Sequence, residues 1–232
     1  MVDPAGPASD QPGPTRQDLL RWAESLAGIA KTGLGFTDSL YERERYEEVL
    51  AIAADIRVAA GTDYDGDHYV TEWLKGVRDG VPGYQTPKVA IGAVVGNDAG
   101  EILLVQRADS GVWLYPTGWA DIGYSPAEVA VKEVKEETGI DCEVERLLMV
   151  LDGLRLGFTT VPLYSIVFQC RATGGELAAH PLETSDVGFF AEDALPSPLA
   201  GYDRWGGPVF QALRGEAVPV QFDDVRPETW RS

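Results

Sequence analysis

The chain has 232 residues, of which 44% are hydrophobic, and a formal net charge of −18. This length supports one well-formed core together with a small additional domain, whereas the negative charge argues against broad binding to nucleic acid or anionic lipid, which need a basic face. No apolar run approaches the ~20 residues of a membrane span, and the N-terminus lacks the basic and apolar segments of a signal peptide. We therefore expect a cytoplasmic protein.

The acidity also limits how an anionic substrate could bind. A phosphate would meet a repulsive field, so a bound metal ion and a few local cations would have to reverse its sign. Cys142 and Cys170 are the only cysteines and have no metal-type spacing, so we expect two reduced thiols. His68 and His180 are too few and too isolated to suggest a zinc site. Whether the acidity is an adaptation to salt stays open.

The N-terminal region reads as a tail followed by helices. Residues 1–14 are rich in Pro, Gly, Ala and Asp, which is typical of a flexible tail. Residues 15–62 have the periodicity of a helical hairpin. Gly33 is the predicted end of its first helix. The apolar side of that helix consists of Leu19, Trp22, Ala23, Leu26 and Ala30.

The second predicted helix runs from Tyr41 to Ile56. Its apolar side consists of Val49, Leu50, Ala53 and Ile56. Two helices of this length cannot close a core alone, so they must pack on something else. Residues 63–86 read as a linker. Within them Asp63–Asp67 resembles a calcium loop in its acidic residues but has its glycine at the wrong position, so we interpret it as an acidic turn.

Residues 87–232 have a mixed α/β pattern. A turn at Asn97–Gly100 joins the first two strands, and a late helix covers roughly Gly207–Leu213. Strands on either side of one motif helix, with another helix on the opposite face, predict an α/β/α sandwich with a mixed sheet. The predicted strands are Val89–Val95, Ile102–Val105, Trp113–Tyr115, Val144–Leu151, Val161–Cys170 and Val187–Ala191.

The motif helix is the most informative element. Ser125 and Glu128 form a predicted capping box with Pro126 at the first helical position, and Gly139 is placed to end the helix. Its predicted buried side consists of Ala127, Ala130, Val131 and Val134. On another side the acidic residues follow i, i+3, i+4 spacing, so that their carboxylates converge. These residues are Glu133, Glu136 and Glu137.

The converging carboxylates admit two interpretations. Clustered hard oxygen ligands suit Mg²⁺ or Mn²⁺, which would neutralise a phosphate and activate water. A solvated acidic side of a surface helix is the alternative, and Lys132 and Lys135 would weaken the repulsion among the glutamates. The carboxylates alone do not decide between the two.

The surrounding residues resemble the Nudix box, G-x5-E-x7-R-E-U-x-E-E-x-G-U, where U is a bulky aliphatic residue. The matching residues are Gly118, Glu133, Val134, Glu136, Glu137, Gly139 and Ile140. Tyr124 stands where the box has its first Glu, and Lys132 where it has Arg. The resemblance implies that the first Glu supports the site, so these departures bear on positioning more than on metal binding. Lys132 lacks the planar fork of Arg, and Glu128 is spaced to pair with it.

The resemblance to the Nudix superfamily covers about residues 87–195 and implies its α/β/α fold. The helical hairpin resembles the small N-terminal module of one Nudix subgroup, through Trp22, Ala30–Leu34 and Arg43–Tyr46. In that subgroup the module is associated with dimer formation, which implies a homodimer. A helical lid packed on its own chain is the alternative. The subgroup resemblance implies hydrolysis of nucleoside diphosphates linked to another moiety.

The resemblance also implies roles for single residues in a Mg²⁺ site. Glu133 and Glu137 would bind metal directly, and Glu136 would be a ligand or lie just behind the ligands. The backbone carbonyl of Thr117 would add a ligand beside Gly118, which lies in the loop expected to bind substrate. Mn²⁺ is an alternative to Mg²⁺.

A further carboxylate is expected from a loop beyond the sheet. Glu183 is the first candidate, as metal ligand or general base, and Asp186 is the second. An ordinary solvated loop residue is an equal alternative for Glu183. Arg107, at the end of its strand, could bind a substrate phosphate through its fork or form a surface ion pair.

Three functions remain in competition. Hydrolysis of nucleoside diphosphate-X compounds, with ADP-ribose favoured and CDP-choline as an alternative, accounts for the three spaced glutamates. A non-catalytic sensor of a nucleotide metabolite would not need them. An RNA-processing Nudix enzyme would favour a basic groove, which the acidity of the chain disfavours. Loops such as 153–162 set the base and the X moiety, and sequence cannot orient them.

Overall fold

The computed structural model describes residues 13–77, 85–121 and 123–226. The chain divides into two compact units, residues 1–86 and residues 87–232. Within the described ranges, no helix is both long enough and apolar enough to cross a membrane.

The first unit is helical over its described part. It contains α1 (Arg16–Phe36), α2 (Leu40–Ala59) and α3 (Gly66–Lys75). Thr15 and Asp18 form a capping box at the start of α1, and the Ser39 hydroxyl accepts from the amide of Glu42 at the start of α2. The predicted helical hairpin is therefore confirmed. The predicted flexible tail, residues 1–14, falls almost entirely outside the described residues.

The packing side of α1 differs from the predicted one. Its buried residues are Leu20, Ala23, Ala27, Ala30 and Leu34. Trp22 is exposed instead, because the small alanines form the side that meets α2. The prediction that Gly33 ends the helix is wrong: α1 continues to Phe36, and a Cβ on Gly33 would lie 2.2 Å from Cζ of Tyr46. The glycine thus serves the close approach of α2.

The predicted acidic turn is the start of a third helix. Asp65 caps α3 by accepting a hydrogen bond from the amide of His68 at 2.9 Å. Apolar residues of the α3 segment pack against the cluster formed by α1 and α2, namely Val70, Trp73, Leu74 and Val77. The segment predicted as a linker therefore contributes part of the cover that a two-helix hairpin lacks.

The second unit is built on one mixed sheet. Its elements are β1 (Lys88–Gly96), β2 (Ile102–Arg107), β3 (Trp113–Leu114), β4 (Thr117–Trp119), α4 (Pro126–Thr138), β5 (Ile140–Asp152), α5 (Gly153–Leu156), β6 (Leu163–Gly175), β7 (Thr184–Phe190), α6 (Tyr202–Leu213) and β8 (Gln221–Phe222). The strand order is β3-β2-β1-β6-β5-β8, while β4 pairs with β1 and β7 with β2. The pairs β1–β6 and β5–β8 are parallel, and the other pairs are antiparallel.

Helices cover both faces of this sheet, which confirms the predicted α/β/α sandwich. The cluster on the α4 side includes Ile91, Val95, Leu103, Val129, Ala130 and Val134. The cluster on the α6 side includes Val94, Leu104, Met149, Val167, Val209 and Phe210. Neighbouring residues of β1 alternate between the two clusters, as the pleat of a strand requires. The late helix begins earlier than predicted, at Tyr202, and the short elements β4, α5 and β8 were not expected.

Helix α4 has the predicted ends but a different buried side. Ser125 and Glu128 form the capping box, and Gly139 ends the helix with a φ of 74°. The buried residues are Val129, Ala130, Val134, Glu137 and Thr138. Val131, which the pattern placed inside, is exposed. The helix is rotated so that Glu137 lies on the side that faces the sheet.

Candidate active site

Strand β4 brings the box glycine against α4. β4 pairs with β1 so that Gly118 lies opposite Ile91. A Cβ on Gly118 would lie 2.2 Å from Cδ of Glu133, so any larger residue would displace that carboxylate. The glycine is therefore required by close packing of the strand on the helix, which encloses Glu133 to 13% side-chain exposure.

Glu137 is the most buried carboxylate of the site, at 4% exposure. Its Oε2 accepts a hydrogen bond of 3.0 Å from the amide of Thr117, whose hydroxyl donates to the carbonyl of Ile91. Burial raises the pKa of Glu137 to about 7. The negative charges of Glu133 and Glu183 add to this rise, whereas the Thr117 amide and the charge of Arg107 oppose it.

The pKa of Glu133 is also raised. Burial is the main cause that raises its pKa above the usual value, and the charges of Glu136, Glu183 and Asp121 act in the same direction. Lys132 opposes them. Glu133, Glu137 and Glu183 thus form one electrostatically coupled group of carboxylates.

The loop that carries Glu183 is attached to the end of α4. The amide of Ala178 donates to the carbonyl of Thr138 at 2.9 Å, and the amide of His180 donates to the backbone carbonyl of Glu137 at 3.3 Å. The hydroxyl of Thr184 also donates to the Glu137 carbonyl, at 3.4 Å. These bonds satisfy carbonyls that a helix end leaves without partners. They also bring the exposed Glu183 within electrostatic reach of Glu137.

Three candidates are engaged in other contacts. Glu136 turns outward: its Oε2 accepts from Lys132 Nζ at 2.9 Å, and its side chain is 52% exposed. Arg107 forms a forked pair with Asp109, at 3.0 and 2.7 Å, so the ion-pair alternative is the one observed. The Asp186 carboxylate accepts from the amide of Val187.

The sequence reading missed Asp121 and the true partners of Lys132. The predicted pair between Lys132 and Glu128 is not formed, because the Glu128 carboxylate accepts from the amide of Ser125 at the helix start. Lys132 Nζ lies 3.1 Å from Asp121 Oδ2 instead. The sequence did contain a signal for this contact, because Asp121 is an acidic residue between Gly118 and Tyr124.

Tyr124 lies outside this group of carboxylates. Its side chain is exposed and lines an open groove of about 590 Å³ between α4 and β5. Ala127, Val131, Cys142 and Val144 also line this groove. The residue at the first departure from the box therefore directs no carboxylate at the site.

The donors of the site suit a hard divalent cation, although they do not form a complete cage. Within residues 13–77, 85–121 and 123–226, no three His, Cys, Asp or Glu side chains are close enough to hold a metal ion. Mg²⁺, however, is commonly bound by one or two carboxylates, with water and substrate phosphate in the other positions. Burial first, and repulsion between neighbouring carboxylates second, raise the pKa values of Glu133 and Glu137, and a cation bound there would favour their charged forms.

An α/β/α sandwich with clustered carboxylates on a helix packed against a glycine-bearing strand defines the class of Nudix-fold hydrolases. The chain belongs to the Nudix family, since residues 86–213 match the NUDIX domain. Residues 17–68 match a second domain, described as "UDP-X-like, N-terminal oligomerisation domain". The protein is thus a Nudix pyrophosphohydrolase, and enzymes of this family generally use a divalent metal.

Two of the following proteins match most of the chain, across both units. The "Putative ADP-ribose pyrophosphatase YjhB" of Bacillus subtilis is 37% identical over 208 residues, which are 88% of this chain and 96% of the relative. The crystal structure of a UDP-X diphosphatase is 30% identical, with a TM-score of 0.54, and covers 90% of this chain and all of its own. An ADP-ribose pyrophosphatase structure from Streptococcus suis is 34% identical over 60% of this chain, with a TM-score of 0.50.

Proposed function

We propose that the protein hydrolyses the pyrophosphate bond of nucleoside diphosphate-X compounds with Mg²⁺, and that ADP-ribose-like molecules are its preferred substrates. The observation that carries this is the buried Glu137 beside Glu133, two like charges held together at the box glycine. The ADP-ribose pyrophosphatase name of the B. subtilis relative, which spans both units, supports the substrate class. CDP-choline remains the alternative substrate and Mn²⁺ the alternative metal.

The proposed roles follow from where the residues lie. Glu133 and Glu137 would bind the metal ion, with the Thr117 carbonyl as a further ligand. The chemistry that a divalent ion would supply there is neutralisation of charge on the pyrophosphate oxygens and orientation of a water molecule. Glu183 is exposed beside them, so its carboxylate can take the proton of that water or add a ligand. Glu136, turned toward Lys132, would support the ligands from behind.

Substrate binding requires small adjustments of the same region. Gly118 lets the Glu133 carboxylate pack directly on the backbone of β4, and its proposed part in substrate binding rests on its place in the strand beside that carboxylate. Arg107 would exchange its Asp109 partner for a substrate phosphate, to which its fork is equally suited. The Arg107–Asp109 pair is exposed and so contributes little stability, which means that the exchange costs little.

The test is a panel of nucleoside diphosphate-X compounds with Mg²⁺ or Mn²⁺ and product identification. ADP-ribose should yield AMP and ribose 5-phosphate, with a higher kcat/KM than CDP-choline, and a chelator should abolish the reaction. Turnover of RNA ends in preference to these compounds would contradict the proposal. Binding of ADP-ribose without any cleavage would favour the sensor instead.

We propose a homodimer formed through the first unit. Apolar side chains stand exposed on its helices, with Trp22 and Ile29 two turns apart on α1 and Ile52 on α2. The match of residues 17–68 to an oligomerisation domain supports a contact through this unit. Sedimentation should show a dimer that Ile29→Glu dissociates, whereas a monomeric wild type would support the alternative of a helical lid packed on its own chain.

Cytoplasmic location also stays a proposal, supported by the free thiols of Cys142 and Cys170.

A further inference from the structure

We infer that Asp121 is a positioning residue of the active site, and that it acts through Lys132 to hold the loop after β4 against helix α4. The inference concerns residues that touch neither the substrate nor the metal ion in the proposed function. Its consequence for metal binding rests on that proposed function, but its structural part does not.

The contacts converge on a single ammonium group. Lys132 Nζ lies 3.1 Å from Asp121 Oδ2, 2.9 Å from Glu136 Oε2 and 4.0 Å from Glu133 Oε1. An ammonium has three donors and no preferred plane, so it can serve carboxylates from three directions. Lys132 thereby joins one loop residue to two residues of the helix that carries the proposed metal ligands.

Asp121 lies in the loop that joins β4 to α4. The start of the loop is fixed, because the amide of Ala120 donates to the carbonyl of Val89 at 3.0 Å. Its end is fixed by the capping box of Ser125 and Glu128. Among the described residues between those two points, the Asp121–Lys132 contact is the side-chain ion pair that ties the loop to α4.

The arrangement also limits where Lys132 can go. A lysine side chain is long and flexible, and without Asp121 its ammonium would be shared by Glu136 and Glu133 alone. A closer approach to Glu133 would compete with a cation for that carboxylate. Asp121 therefore holds Lys132 at the rim, where it offsets part of the repulsion on Glu133 without occupying its oxygens.

This arrangement connects the two departures from the box. Tyr124 has no carboxylate, and its side chain lines the groove between α4 and β5 instead of facing the site. Asp121, three residues earlier, provides the charge that faces Lys132. The lysine reaches it as a point charge, for which the planar fork of an arginine is not needed.

The test uses metal binding without substrate. Mn²⁺ affinity is measured by calorimetry on wild type, Asp121→Asn, Lys132→Gln and the double variant. Asp121→Asn should weaken Mn²⁺ binding about 10-fold, the usual size for a residue that supports a ligand from behind. In the Lys132→Gln background the same substitution should have no further effect, because Asp121 acts through the lysine. Asp121→Glu should restore most of the affinity.

The matched control is a second ion pair of the same helix. Lys135 Nζ lies 2.8 Å from Asp141 Oδ1, with both side chains about as exposed as Asp121. Asp141→Asn also removes one negative charge, but from an ion pair that does not involve Lys132 or Glu133. It should leave Mn²⁺ affinity within two-fold of wild type. If Asp121→Asn is equally silent, or equally harmful with and without Lys132, the inference is wrong.

A metal-free measurement keeps the structural part separate. Amide hydrogen exchange in the loop before Ser125 should quicken in Asp121→Asn and Lys132→Gln to the same extent, and the double variant should be no faster than either. Unchanged exchange in both single variants would overturn the proposed tie. A wild type that binds no Mn²⁺ would defeat the proposed function, and exchange would then decide the role of Asp121 alone.

Discussion

The two units of this protein treat buried charge in opposite ways. In the first unit Arg57 and Glu24 are paired at 6% and 12% side-chain exposure, and the Arg57 guanidinium lies 4.7 Å from the ring centre of Tyr69. In the second unit the buried Glu137 lies near the partly buried Glu133, and neither forms a close ion pair with an equally buried cation of the described residues. The charges of the first arrangement balance each other within the protein, whereas in the proposed function a bound cation would balance those of the second.

This difference separates structure from function. A buried ion pair balances its desolvation by mutual attraction, and removal of one partner leaves an uncompensated charge. Two buried carboxylates repel each other, so their proximity costs stability in the metal-free protein. Sites of catalysis are where such costs are retained, because the strained groups are the ones that bind or react.

The largest expected effect is on catalysis. Glu137→Gln keeps the shape of the side chain and its contact with the Thr117 amide but removes the charge. Turnover should fall by roughly two to three orders of magnitude, since the charge of the proposed metal ligand is lost. Steady-state kinetics with ADP-ribose, checked by circular dichroism for an intact fold, measures this. Glu136→Gln is the control and should lose much less; near-normal activity of Glu137→Gln would remove the metal role from this residue.

The paired charge should respond in stability instead. Arg57→Met leaves Glu24 buried without its partner and should lower the free energy of unfolding by about 3–5 kcal/mol. Arg57→Met combined with Glu24→Leu should recover most of that loss. Urea unfolding gives both values, and kcat of the folded single variant should match wild type. A single variant as stable as wild type would show that the pair is not effectively buried.

The close approach of β4 to α4 can be broken by one methyl group. Gly118→Ala would place a Cβ on the Glu133 carboxylate and should lower kcat about 10-fold or more by displacing it. Gly207→Ala is the matched control: a Cβ there meets nothing within 4 Å inside α6, so stability should be kept or rise slightly. Wild-type kinetics in Gly118→Ala would mean that Glu133 has more freedom than the packing indicates.

The last expected effect is a pH dependence of the metal-free protein, which leaves the sequence unchanged. The pKa of Glu137 is raised to about 7, above its value in the unfolded chain, so the folded state holds the proton more tightly. The contribution of Glu137 to stability should therefore be largest below about pH 4.5 and fall by on the order of 1–3 kcal/mol as the pH rises to about 7. Thermal unfolding in a chelator measures this slope. Glu137→Gln should flatten it, and an unchanged slope would assign it to other groups.

Local signals predicted the elements whose residues interact with near neighbours in sequence. The ends of α4 follow from Ser125, Glu128 and Gly139, because a capping box and a left-handed glycine act within one helical turn. Helix α3 was missed because Asp65, which caps its first turn, was interpreted as part of an acidic turn. An aspartate in a turn and an aspartate that caps a helix cannot be told apart from the residue type alone.

The candidate site was predicted less evenly. The resemblance to the box pointed to Glu133 and Glu137 as direct ligands and left Glu136 either as a ligand or just behind them. The rotation of α4 turns Glu136 outward and Glu137 inward. The partner of Lys132 could not be read from helical spacing, because Asp121 lies in a loop whose path depends on β4. For the same reason Gly33 was taken for a helix end when it serves contact with Tyr46.

The sequence by itself determined the family, the layered architecture and the reaction class, since each depends on residue types at fixed spacings along one helix or strand. The tertiary structure decided which carboxylates lose water, which face each other and which are matched by a cation. Burial and Coulomb interactions depend on distances between elements that are far apart in sequence, and no spacing along the chain records them.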